Sequence, residues 1–201
     1  MFVTFEGTEG AGKSTLIQAV AAKLSLAGFR VEKTREPGGN VVAEQIRKVI
    51  LDNQMDPWTE LFLYEAARAE HLAKVILPAL RDGKILLCDR FTDSSLAYQG
   101  YARGLPWKEV KRLNHIATQG LKPQLTVLLD IDPAQGLKRA REYTRFEAEG
   151  VKFQTQVRKG FLKSLKEEPK RWLKVDAGKK TPEELTIEVV KKILEKKPRA
   201  R

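Results

Sequence analysis

The run GTEGAGKST, residues 7–15, follows the apolar segment FVTF and opens a stretch with helical periodicity. Gly7, Gly12, Lys13 and Ser14 match the phosphate-binding P-loop pattern with its four-residue gap. Glycines let successive backbone N–H groups turn inward around a phosphate, and a helix starting near Ser14 aims its positive dipole end at it. Lys13 can reach the β and γ oxygens of a nucleoside triphosphate, and the Ser14 hydroxyl suits Mg²⁺. Thr8, Glu9, Gly10, Ala11 and Thr15 complete the expected ATP-binding loop. A second charged set follows: Arg35 and Glu36 in TREPGG, Arg68 in LYEAARAEHL, and Asp89 with Arg90 in CDRFTDSSLAYQG. A second phosphate-binding set of this kind points to a kinase. Neither an Asn-Lys-x-Asp run nor an Asp-x-x-Gly switch follows a strand, which argues against a GTPase.

These residues must be positioned by elements that the apolar pattern outlines. FVTFE (2–6), VEKTR (31–35), KILLCD (84–89), LTVLLDI (125–131) and WLKVD (172–176) read as five strands. ILLC and VLLDI are apolar at consecutive positions, as strands buried on both faces of a parallel sheet are. No tight turn joins any two of them. The long segments between carry helix signals: Pro57 after Asp56, Pro106 as a first-turn residue, a Thr181 to Glu184 capping box around Pro182, and stops at Gly28, Gly83 and Gly120. The expected fold is α/β, a doubly wound five-stranded parallel sheet with helices on both faces, its ligands beyond the carboxyl ends of the strands. Both charged sets fall there. Residues 1–201 read as a single domain.

The P-loop, TREPGG and DRFTDSSLAYQG together resemble the thymidylate kinases, over essentially the whole chain and through TRFE to the last strand. The resemblance implies a fold of the P-loop NTPase type with a small lid around 138–152. It implies transfer of the γ-phosphoryl of Mg²⁺-ATP to dTMP, giving dTDP and ADP, with Lys13, Arg35 and Arg90 catalytic. Arg35 and Arg90 would bind the acceptor phosphate. Asp89, with Ser14, would act on Mg²⁺ directly or through water, and Glu9 would meet the sugar hydroxyl or the metal-water network. Tyr64 stands where family members usually stack a Phe on thymine. Arg68 would bond thymine O4, Ser95 would meet N3, Tyr98 would lie against the deoxyribose and Gln99 would bond nearby, with Pro37 and Ser94 also at dTMP. The resemblance to the bacterial type, which places a catalytic arginine in the lid where the P-loop has none, as here with Ala11, implies Arg139, Arg141 and Arg145 as the candidate lid cations on the transferring group. TRFE replaces the commoner DRFE, so Thr144 removes a carboxylate beside Arg145, and Arg145 with Glu147 is the firmer part of that motif. A homodimer through helix faces is implied as well.

Composition sets the remaining bounds. Of 201 residues 42% are apolar, enough for one sizeable core, and the net charge is +11. Residues 138–201 carry 20 basic against 10 acidic side chains, so nearly the whole excess sits in the last third. A nucleic-acid-binding P-loop ATPase is therefore a competing class, though the basic segment lacks interleaved aromatics; a kinase for another monophosphate or a deoxynucleoside is the nearer alternative. One cysteine, Cys88, excludes an internal disulfide, and two histidines leave no usual Cys/His zinc spacing. Cys88 reads as core, His71 and His115 as structural, and Trp58, Trp107 and Trp172 as packing at element starts. No run approaches a membrane span, so a cytoplasmic protein with no membrane or nucleic-acid partner is expected.

Overall fold

The computed structural model describes residues 1–140 and 145–197. Strands β1 (Phe2–Glu6), β2 (Val31–Arg35), β3 (Ile85–Asp89), β4 (Leu125–Asp130) and β5 (Trp172–Asp176) pair in parallel in the order β2-β3-β1-β4-β5. Lys84 and Ile131, read from the sequence into β3 and β4, lie just outside the strands. The consecutive apolar runs have a simple cause. Leu86 and Cys88 enter one core with Phe2, Leu72, Ile76 and Phe91, while Ile85 and Leu87 enter the opposite core with Val3, Phe5, Leu16 and Val20. Alternate side chains thus serve two buried faces.

Helices α1 (Lys13–Leu26) and α10 (Pro182–Lys196) pack on the second of those faces through Leu16, Val20, Leu24, Leu185, Val189 and Ile193. The first is covered by the π-helical turn Leu72–Ile76 and α4 (Leu77–Arg81), which continue α3 (Pro57–His71). Beside it lie α5 (Thr92–Ser95) with its π-helical continuation Leu96–Ala102, and α9 (Gly150–Glu167), whose Val157 and Phe161 meet Ala97 and Tyr98. Helix α2 (Val41–Asp52) packs on α3, as does α6 (Trp107–Ala117). Short α7 (Pro133–Arg139) and α8 (Arg145–Ala148) flank the 141–144 segment.

The helix starts are specified locally. Asn40, Asp56, Asp132 and Thr181 each accept a hydrogen bond from a first-turn N–H, and Thr181 forms the expected reciprocal box with Glu184. Pro106 stands one residue earlier than expected: as N-cap of α6 its ψ of 116° is still extended, and only its carbonyl joins the helix. Gly28, Gly83 and Gly120 follow the ends of α1, α4 and α6. Among the described residues no helix is long and apolar enough to cross a membrane. β1 connects to β2 on one side of the sheet, whereas β3 connects across β1 to β4 on the other, so the order reverses beside β1 and the crevice opens at its carboxyl end, where Gly7 follows.

Candidate active site

Past β1 the chain curls through residues 7–12. Gly10 and Gly12 hold φ of +69° and +89°, a region that side-chain-bearing residues rarely adopt. A Cβ on Gly10 would stand 1.8 Å from the Gly136 carbonyl oxygen, so the approach of α7 also demands glycine there. Helix α1 opens with no side-chain cap and no acidic residue in its first turn, which leaves its first N–H groups and positive dipole end for an anion. Lys13 is buried and donates from Nζ to the Gly7 and Thr8 carbonyls, at 3.2 Å each. Burial, and then the Arg90 charge, push its ammonium below the ordinary lysine range. The buried Thr8 hydroxyl finds no hydrogen-bond partner among the described residues. Ala11 is buried behind the loop, and Thr15 faces solvent.

The Ser14 hydroxyl donates to Asp89 Oδ2 at 2.9 Å, joining the first turn of α1 to the end of β3. These are hard oxygen donors of the kind Mg²⁺ takes in company with phosphate oxygens and water, so the residues fit that ion.

One residue beyond Asp89, Arg90 adopts φ +69° and turns its guanidinium over the Tyr98 ring, 5.1 Å from the centroid. It donates to the Gly7 carbonyl (3.1 Å), Glu9 Oε1 (2.7 Å) and Ser94 Oγ (3.3 Å). Tyr98 donates to the same Glu9 oxygen at 2.8 Å. Burial alone would raise the Glu9 carboxyl, but the Arg90 and Lys13 charges and the Tyr98 hydroxyl outweigh it and hold the group below the usual carboxylate range. A positive cluster with one fixed carboxylate therefore joins the loop to the neighbouring cavity.

That cavity is lined by Glu9, Pro37, Tyr64, Arg68, Arg90, Ser94, Ser95, Tyr98 and Gln99, all foreseen from the sequence, and by Glu36, Arg47, Leu51, Phe91 and Phe146, to which the sequence reading gave no role there. Tyr64 and Arg68 reach it from one face of α3. Arg68 is almost fully buried, and all of its N–H groups are engaged: with Glu36 (2.8 Å), Glu65 (2.6 Å), Asn114 (2.7 Å), the Phe91 carbonyl (3.2 Å) and Ser95 Oγ (3.1 Å). Glu36 in turn meets His71 Nδ1 at 2.9 Å, and His71 Nε2 meets Thr34 Oγ1 at 2.6 Å, so His71 is structural, as expected.

Behind the cavity Glu6 is fully buried; it accepts from the Phe91 N–H (2.8 Å) and shares a 2.6 Å hydrogen bond with the Ser94 hydroxyl. Burial, reinforced by the Asp93 charge, pushes its carboxyl from 4.5 up to about 8. Cys88, within β3, is core, and burial pushes its thiol up, away from thiolate chemistry.

Other sequence candidates lie elsewhere. Arg35 is half exposed, pairs with Glu44 at 2.8 Å, and lines a groove shared with Ser14 and Asp89 instead of the cavity. Edge strand β2 turns it outward, and Glu44 in the first turn of α2 captures it. Arg139 donates to the Ala177 carbonyl at 3.0 Å. Arg145 is held by Glu60 and the Ile50 carbonyl. Arg141 and Thr144 lie outside the described residues.

A glycine-rich loop opening α1, joined through Arg90 to a neighbouring polar cavity, is the arrangement of a P-loop phosphotransferase. The thymidylate kinase family profile matches residues 5–189. A thymidylate kinase of Bacillus velezensis is 49% identical over 196 residues, covering 94% of this chain and 92% of that protein, and one of Bacillus licheniformis is 48% identical over 203 residues, covering 97% and 95%. A crystal structure of thymidylate kinase from Ehrlichia chaffeensis superposes with a TM-score of 0.81 at 33% identity, covering 96% of this chain and 98% of that one. The chain belongs to the thymidylate kinase family.

Proposed function

We propose that the cleft transfers the γ-phosphoryl of Mg²⁺-ATP in line to the 5′ phosphate of dTMP, with residues 7–15 holding the donor and the Tyr64–Arg68–Ser95 cavity holding the acceptor. The observation that carries this reading is Arg90, whose guanidinium touches the P-loop carbonyl of Gly7, the Glu9 carboxylate and the Ser94 hydroxyl. It stands where the two anions must meet.

A nucleoside monophosphate, with its second pKa of about 6, is largely dianionic at neutral pH and needs little help from a general base. Catalysis is then positioning and charge neutralisation. Lys13 releases the loop carbonyls for phosphate oxygens, and Arg90 neutralises the acceptor phosphate on the side facing the donor. Ser14 and Asp89 are the residues that would hold Mg²⁺, which, when bound, neutralises charge on the β- and γ-phosphates. Glu9 keeps Arg90 and Tyr98 fixed and presents a carboxylate to the sugar, while Tyr64 offers its ring to the base. Arg35 serves the acceptor phosphate after exchanging its Glu44 pair. Of the lid arginines, Arg139 and Arg141 are the ones left to reach the transferring group.

We further propose that 1–201 act as one domain with residues 138–152 as lid, that the protein works in the cytoplasm, and that it is a homodimer. Val41, Val49 and Phe62 lie 76%, 48% and 54% exposed on α2 and α3, an apolar face suited to a second copy. The activity is tested by ADP release with Mg²⁺-ATP against dTMP, dUMP, UMP, CMP, GMP, AMP and thymidine at low and moderate salt. Preferred turnover of dTMP is the expected result. Another preferred acceptor would relocate the specificity, and ATPase activity driven only by nucleic acid would overturn the assignment.

A further inference from the structure

Glu60, in the first turn of α3, is 1% exposed, yet its carboxylate gathers three donor side chains from two separate segments, 99–103 and the start of α8. Gln99 Nε2, from the acceptor cavity, donates at 2.7 Å; Arg145 Nη2 donates at 2.5 Å; Arg103 approaches more loosely at 3.5 Å. Arg145 also donates from Nε to the Ile50 carbonyl at 2.7 Å, near the C-terminus of α2 where a cation is favoured, and its guanidinium lies 4.4 Å from the Phe146 ring centroid. Phe146 is buried, lines the acceptor cavity and meets Tyr98 edge-on at 5.7 Å. Residues 145 and 146 therefore form a foot, directly after 141–144, that rests on the cavity wall. Glu60 is also spaced four residues from Tyr64 and eight from Arg68, so one face of α3 carries both the acceptor contacts and the grip on this foot.

We propose that Glu60 is a positioning residue that couples the acceptor cavity to the foot of the lid. Filling the cavity with the nucleoside monophosphate sets Gln99 and Tyr98, these set Glu60, Arg145 and Phe146, and the start of α8 is thereby held in the position that favours the donor triphosphate. Arg145 is the anchor of this linkage and not the cation on the transferring phosphoryl. The inference rests on the proposed function, since it assigns the cavity to the acceptor.

The test is calorimetric titration of a non-hydrolysable ATP analogue with Mg²⁺, with and without saturating dTMP. In the unaltered protein dTMP should tighten the analogue about fivefold or more, within the usual range of site-site coupling. In Glu60→Gln and in Arg145→Lys the tightening should fall below about twofold, and the double variant should lose no more than either single one. Affinity for dTMP alone should change less than about threefold, which separates lost coupling from a damaged cavity. If Glu60→Gln fails to fold by circular dichroism, Arg145→Lys decides alone. Coupling retained in the variants, or absent from an unaltered protein that does phosphorylate dTMP, would overturn the proposal while leaving the activity intact. So would a loss of kcat of about a hundredfold or more in Arg145→Lys with intact coupling, which is the signature of a transition-state cation. An unaltered protein with no dTMP phosphorylation would overturn the activity as well.

Discussion

Glu6 links protonation to stability at a single position. Its carboxyl is raised by burial and by Asp93 from 4.5 to about 8, so between those values the folded state holds a proton that the unfolded state has released. Its stabilising contribution is present in full below pH 4.5 and is lost as pH rises through about 8. The thermal midpoint of the unaltered protein should therefore fall from pH 5 to pH 8 relative to that of Glu6→Gln, measured by circular dichroism in the same buffers; parallel profiles would contradict the assignment. Tyr64 belongs at this scale too. Tyr64→Ala should raise the KM for dTMP by about tenfold or more, on the order of the loss of one stacked base, with a smaller change for ATP. A larger effect on ATP would move the base site elsewhere. Residues of this kind were legible where a local pattern announced them, as in the P-loop or the spacing of Tyr64 and Arg68. Glu6, Glu60 and Asn114 were not, because each finds its partners only after distant segments pack, and a single buried polar side chain leaves no mark on the sequence around it.

Elements were the most legible level, because their causes are local. ILLC and LTVLLD could only be strands buried on two faces, and Thr181 with Glu184 forms the expected box, with Glu184 Oε2 accepting from the Thr181 N–H at 2.8 Å. Thr181→Ala should cost about 1 kcal/mol, the usual loss for an N-cap hydroxyl, measured by urea unfolding. No change would mean that the Pro182 start alone fixes α10. Less legible were the π-helical stretches Leu72–Ile76 and Leu96–Ala102, whose periodicity departs from that of an α-helix only slightly. Arg35 shows the same limit. Its place at the end of β2 was correct, yet its direction depends on Glu44, nine residues away on another element.

Across the whole molecule the charge excess of the last third is partly compensated by pairs between elements. Arg158 holds Asp130 at 2.6 Å, Arg171 holds Asp93 at 2.7 Å and Lys174 approaches Asp130 at 3.6 Å. Pairs with exposed members add little to stability; toward the end of α10 Lys192 meets Glu195 at 3.1 Å, Lys196 donates to the Lys170 carbonyl at 2.6 Å and Lys197 lies 4.0 Å from the Phe29 ring centroid. The exposed apolar face on α2 and α3 has a clearer consequence. Phe62→Glu places a charge among these side chains and should convert the proposed dimer into a monomer in light scattering at micromolar concentration; an unchanged mass would put the dimer contact on another surface. The central claim, that the two sites exchange a phosphoryl group at Arg90, is tested most directly by ATP labelled at the γ position. With dTMP and Mg²⁺ present, the label is predicted to appear in dTDP, and Lys13→Ala is predicted to abolish that transfer while keeping the fold. Label released only as inorganic phosphate, or transferred equally well by Lys13→Ala, would contradict the account.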